Sequence, residues 1–96
     1  MERSVLSDYI PPSLFVLKNR RGGLECRQIE EGVFVVRCFT FHADAQRNAD
    51  SDVTTAPMMT QAVVLHVLAG QQRGDMIVGF SVDDNAPYTV RLEMGS

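Results

Sequence analysis

The sequence predicts an all-β domain, a small six-stranded antiparallel barrel or sandwich, on three observations. From Leu14 onward, apolar runs rich in Val and Phe alternate with short turn clusters. Those clusters contain Arg21-Gly22-Gly23, Glu31-Gly32, Gly70, Gly74 and Asp83-Asp84-Asn85, residue types that favour turns and left-handed backbone. A chain of 96 residues, 45% hydrophobic and 22% charged, is long enough for one core and too short for two. The expected organisation is an N-terminal arm over 1–12 and a single β domain over 13–96, with a long polar loop at 43–56.

In the arm, Val5, Leu6, Tyr9 and Ile10 fall at helical spacing before Pro11-Pro12, which stops any helix. Apolar residues ahead of the main core suit a docking arm, so these four are the candidate partner-binding residues. The first strand is expected over Leu14–Lys18. The next two, Leu24–Glu30 and Val33–His42, form a hairpin through Glu30-Glu31-Gly32, where Gly32 supplies the left-handed conformation. That loop sets Cys26 opposite Val36 and Glu25 opposite Arg37, and the opposite charges support the register. Cys26 and Cys38 then share a face two positions out of step. Their diagonal separation of about 7–8 Å is too wide for a relaxed disulfide, so both are expected to be reduced core thiols.

Val33–His42 is apolar on both faces, as a central strand covered on both sides should be. After the polar 43–56 stretch, Val63, Val64 and Val67 favour a strand over Thr60–Ala69. The same region also has a helix's punctuation, with Thr54-Thr55-Ala56-Pro57 before it and Gly70 after it, which leaves open an α+β alternative with one helix at 57–69. The final hairpin pairs Met76–Val82 with Tyr88–Met94 across a five-residue loop, Asp83 to Pro87. Placing Val82 opposite Tyr88 and Phe80 opposite Val90 gathers Met76, Val78, Phe80, Val82, Tyr88, Val90, Leu92 and Met94 on one core face. The other face carries Ile77, Gly79 and Ser81 and is expected to be wet.

Bulk properties narrow the function classes. Twelve acids against nine bases give a net charge of −3, which argues against a protein that coats nucleic acid or anionic membrane. The longest apolar run, Ala62 to Ala69, is interrupted by His66 and falls far short of the roughly 20 residues needed to span a bilayer. Acids among the first eight residues are unlike a secretory leader, so a cytoplasmic location is expected.

Several motifs suggest chemistry and do not complete it. His42, Asp44, Asp50, Asp52 and His66 are the right types for a metal or acid–base site, but they lack HExxH or any repeated His spacing. Asn48, Asp50 and Asp52 begin like a calcium loop, yet Val53 stands where Gly is needed and Met59 where the bidentate Glu is needed. Cys38 and His42 share a strand face but are separated by about 13 Å of extended chain, too far for thiol activation. Arg73-Gly74-Asp75 spells an adhesion tripeptide and is read as a turn.

The best nucleic-acid feature is the basic turn Lys18, Arg20 and Arg21 beside Phe15, with Phe15 or Phe39 available to stack on a base. The leading expectation is a small non-enzymatic protein–protein interaction module, with no cofactor and no metal, that forms a homodimer and binds a protein partner. The alternative is a single-stranded nucleic-acid-binding β-barrel, and a small metal-dependent enzyme using His42, His66 and Asp44 comes third.

Overall fold

The computed structural model describes residues 10–91. The arm residues Val5, Leu6 and Tyr9, and the expected strand end at Leu92 and Met94, lie outside the described residues. In chain order the elements are β1 (Ser13–Lys18), β2 (Cys26–Glu30), β3 (Val33–Phe39), α1 (His42–Asn48), β4 (Thr54–Met59), α2 (Thr60–Gln72), β5 (Ile77–Val82) and β6 (Tyr88–Thr89). Sheet predominates over helix. The strands form one sheet in the order β4-β1-β3-β5-β6, and β2 also pairs with β3. This path does not close into a barrel, and a helix packs on each face.

β3 is the spine. Its one edge pairs in parallel with β5, from Phe34 opposite Ile77 to Cys38 opposite Val82. Its other edge is shared end to end by β1, which meets Val16 to Cys38, and β2, which meets Cys26 to Val36. The chain between β1 and β2 loops out over 19–23. The Asn19 side chain closes this loop by accepting the Arg21 and Gly23 amides at 2.9 and 3.0 Å. The predicted pairing of Cys26 with Val36 is present, and Gly32 holds the turn at φ +74°. Both cysteines are free thiols.

The parallel β3–β5 pair corrects the expectation of an all-antiparallel sheet. β4 is antiparallel to β1, which is antiparallel to β3, so β4 and β5 run the same way. A parallel pair of strands needs a crossover, and α2 supplies it. The preferred strand over Thr60–Ala69 is therefore overturned in favour of the helical alternative. Helical spacing lets Val63, Val67 and Gly70 bury one stripe on the sheet, where they join Leu14, Val16, Val36, Cys38 and Phe80. Full burial of each valine is worth roughly 1.5–3 kcal/mol, which outweighs the few tenths that a β-branched residue costs in a helix.

The ends of α2 have identifiable partners. The Thr60 amide donates to Pro12 O at 2.8 Å, and the Thr60 hydroxyl donates to Pro11 O at 2.5 Å. At the other end Asp75 N donates to Gly70 O at 2.9 Å and Gly74 N to Gln71 O at 3.1 Å, a Schellman closure with Gly74 at φ +90°. The helix thus stops one turn beyond the predicted Gly70, and the Arg73-Gly74-Asp75 tripeptide is its terminus. The Gln71 amide then donates to Ile77 O and Val90 O, tying α2 to β5 and to the chain after β6.

The second face of the sheet carries Leu17, Phe39 and Ala45 of α1, with Phe15, Ala49 and Val53 packed around them. The stretch 43–56, expected as one polar loop, holds most of α1 and the start of β4. β3 ends at Phe39, not His42, because α1 begins there. The last hairpin is antiparallel as expected, but Phe80 lies opposite Tyr88, two residues from the predicted register. Val78 bulges out of the β3–β5 ladder, where Phe34 meets Ile77 and Val35 meets Gly79. The bulge turns Met76 out to 60% exposure and brings Ile77 against the core. Ser81, expected on a wet face, is fully buried.

Candidate functional site

The expected basic turn forms, but with acidic company. Asn19, Arg20, Arg21, Glu25, Asp50, Asp52 and Val53 line a hollow of about 510 Å³. Arg20 is ion-paired to Asp52 across it. Lys18 is half-buried at the end of β1. Phe15 and Phe39 do not line the hollow: the Phe15 ring packs 5.3 Å from the His42 ring, and Phe39 is buried at 2% exposure. The structure therefore brings Arg20 and Arg21 together with three carboxylates, with neither candidate stacking ring in the lining.

The His and Asp candidates are dispersed. His42 Nε2 lies 2.8 Å from Thr55 Oγ1, and Asp44 pairs with Arg47 one turn along α1. Asp50 and Asp52 belong to the hollow, while His66 is on α2, across the sheet. Among the described residues no three His, Cys, Asp or Glu side chains gather closely enough to hold a metal ion. Burial pushes the Cys38 thiol up to about 12, with a smaller contribution from Cys26. Cys26 is raised by burial first, then by the charges of Glu25 and Asp75. Both thiols are poor nucleophiles in this environment.

Sequence reasoning missed the clamp that locks the β5–β6 turn onto β3. Arg37 grips Asp84 with two bonds, Nε to Oδ1 at 3.1 Å and Nη2 to Oδ2 at 2.8 Å, and also reaches Asn48 at 3.0 Å. Arg27 adds a bond to Asn85 O at 3.1 Å. The neighbouring Asp83 carboxylate accepts the Thr40 amide and hydroxyl at 3.0 and 2.7 Å. Asp83 and Asp84 both adopt left-handed backbone, φ 56° and 57°, and Asn85 N closes the turn onto Val82 O at 3.1 Å. These side-chain bonds compensate the conformational cost of two successive left-handed non-glycine residues. Arg37 holds the Asp84 carboxyl below its ordinary value, chiefly through the hydrogen bond, against an opposing effect of burial. This cluster is internally matched in charge and builds the fold.

The surface that is not matched is the outside of α2. At 100° per residue, Gln61, Ala62, Leu65, Ala69 and Gln72 lie on the side away from the buried Val63–Val67–Gly70 stripe. All five are exposed, and Leu65 stands at 59%. Met59, the residue before the helix, is 61% exposed. Between Asp52 and Arg73 the chain has no Asp, Glu, Lys or Arg. That run was readable in the sequence as a charge gap, and assigning the segment to a strand hid its meaning. Of the candidate arm residues, Ile10 packs against the α2-side core, and Pro11 and Pro12 are pinned to Thr60. Val5, Leu6 and Tyr9 lie outside the described residues.

Comparison with protein-family models, curated proteins and solved structures gave no match. The functional reading rests on the chain's own surface. No helix among the described residues is long and apolar enough to cross a membrane.

Proposed function

We propose that the protein is a small non-enzymatic interaction module that self-associates and docks a protein partner through the outer face of α2, acting in the cytoplasm. One observation carries this reading: a helix without Asp, Glu, Lys or Arg that buries one side and leaves Leu65 exposed on the other. Solvated helix faces ordinarily carry charge. α2 has no Asp, Glu, Lys or Arg, and its exposed outward residues are Gln61, Ala62, Leu65, Ala69 and Gln72. On this reading Val5, Leu6, Tyr9 and Ile10 remain the candidate partner-binding residues, and Pro11 and Pro12 tie the chain that follows them to Thr60 of α2.

Sedimentation of the full chain at rising concentration, repeated at low and high salt, tests this function. Apolar docking gives concentration-dependent association that salt leaves nearly unchanged. A monomer at every concentration contradicts the proposal. Steep loss of a bound oligonucleotide with salt would instead favour the nucleic-acid alternative.

A further inference from the structure

We propose that Asp83 and Asp84 form a charge-held latch on the β5–β6 turn, whose release frees β6 and the chain after it from β5 while the rest of the sheet stays folded. The turn needs holding. Asp83 and Asp84 sit at φ 56° and 57°, a left-handed backbone that this hairpin geometry requires and that costs any residue except glycine. Their carboxylates supply the hold: Asp83 accepts the Thr40 amide and hydroxyl, and Asp84 takes the fork of Arg37. Asp84 also serves a second arginine. Arg27 Nε lies 4.0 Å from Asp84 Oδ1 and is itself buried without a hydrogen-bond partner. Among the described residues, Asp84 is the one carboxylate ion-paired to either arginine. Removing its charge leaves two partly buried guanidiniums beside the turn without their counter-ion, a destabilising arrangement.

The element behind the latch is small. β6 is Tyr88–Thr89 alone, at one end of the sheet, and it meets β5 at two register positions. The spine strand β3, by contrast, is paired along both edges. Short edge elements open at lower free energy than the centre of a sheet, so loss of the latch is felt first at β6. The charged groups facing the latch are Glu25 and Arg27 from the β2 side, Arg37 from β3, and Asp44 and Arg47 from α1, which line a hollow of about 180 Å³ with Asp83 and Asp84. Asp44 and Arg47 are paired to each other. The arginines keep their charge in acid, so the carboxylates alone titrate. Arg37 holds Asp84 below its ordinary value, so the latch is complete above 3.8 and is lost as pH falls through the lower folded value.

Amide hydrogen exchange on the full chain at neutral pH tests the latch, with the double variant Asp83→Asn and Asp84→Asn standing for its protonated form. The Asn85 and Val90 amides, bonded to Val82 O and Val78 O, should exchange at least about tenfold faster than in wild type. The Thr60 amide, bonded to Pro12 O at the far edge of the sheet, should change by less than about twofold. In wild type the ratio of Val90 to Thr60 exchange should rise as pH falls below 3.8, the ratio cancelling the intrinsic pH dependence, and in the double variant it should stay flat. Asn85 and Val90 amides that exchange as in wild type would overturn the proposal, because the turn then holds without its charges. Acceleration of Val90 and Thr60 together would also overturn it, because β6 then opens only with the whole domain. Should the double variant be unfolded by circular dichroism, the wild-type series decides: a rising ratio supports the latch and a constant one overturns it.

Discussion

Gly79 is the position at which one methyl group should detach an element. A Cβ built there lies 1.9 Å from Tyr88 O and 2.9 Å from Tyr88 C, both backbone atoms of β6. Restoring even a 3.0 Å contact requires β6 to move by about 1 Å, and Gly79→Ala leaves no flexible side chain to yield in its place. Such a shift breaks the pairing of Gly79 with Thr89 and Phe80 with Tyr88, and the 2.8 Å bond from Val90 N to Val78 O. It also disrupts the Phe80–Tyr88 ring stack at 5.3 Å and exposes part of Tyr88, now 7% exposed. Two lost hydrogen bonds at about 1 kcal/mol each, with partial exposure of one aromatic side chain, amount to about 2–4 kcal/mol. For a domain of this size that lowers Tm by roughly 10–25 °C. Thermal and urea unfolding read the stability, and hydrogen exchange at the Val90 amide reads the strand. A variant within about 0.5 kcal/mol of wild type with Val90 still protected would refute the close β5–β6 approach.

Other consequences follow from the clamp and the thiols. Asp84 titrates below its ordinary value in the folded state, so its pairing stabilises fully above the unfolded value near 3.8 and is lost as pH falls through the lower folded one. Asp84→Ala should cost about 1 kcal/mol at neutral pH, a modest figure because the carboxylate is 37% exposed, and the difference from wild type should vanish in strong acid, checked by urea titration at both pH values. Cys38, fully buried with its thiol pushed up to about 12, should resist a thiol reagent at pH 8 until the chain unfolds, whereas half-buried Cys26 reacts slowly in the native state, as a two-phase titration would show.

What the sequence disclosed was local. The β2–β3 hairpin was legible because a glycine fixed the turn; the Cys26–Val36 register read from Glu25 and Arg37 is present, although the Arg37 guanidinium binds Asp84 and Asn48. The role of Val33–Phe39 as the spine was legible from apolar residues on both faces. The helix α2 was visible only as an alternative, since Val63, Val64 and Val67 favour a strand locally while their helical stripe gains its energy from a sheet that the sequence does not display. β4 was hidden because Thr54–Met59 neither alternates nor lacks proline, and as an edge strand it tolerates Pro57. The parallel β3–β5 pair depends on where the α2 crossover lands. The bulge at Val78 then moved Met76 and Ile77 to opposite sides from those expected. For the site, the Arg37–Asp84 clamp joins residues 47 apart and has no sequence signature. The charge gap from Val53 to Gln72 did have one, but it acquires meaning only when the segment is wound into a helix with a single buried side.

The most direct test of the central claim is sedimentation equilibrium of the full wild-type chain, from low micromolar to submillimolar concentration, beside Leu65→Arg. An interaction module with an open α2 face predicts a reversible wild-type dimer, a monomeric Leu65→Arg at the same concentrations, and unchanged circular dichroism between the two. A wild-type chain that remains monomeric throughout, or a Leu65→Arg variant that dimerises as wild type does, would contradict the account.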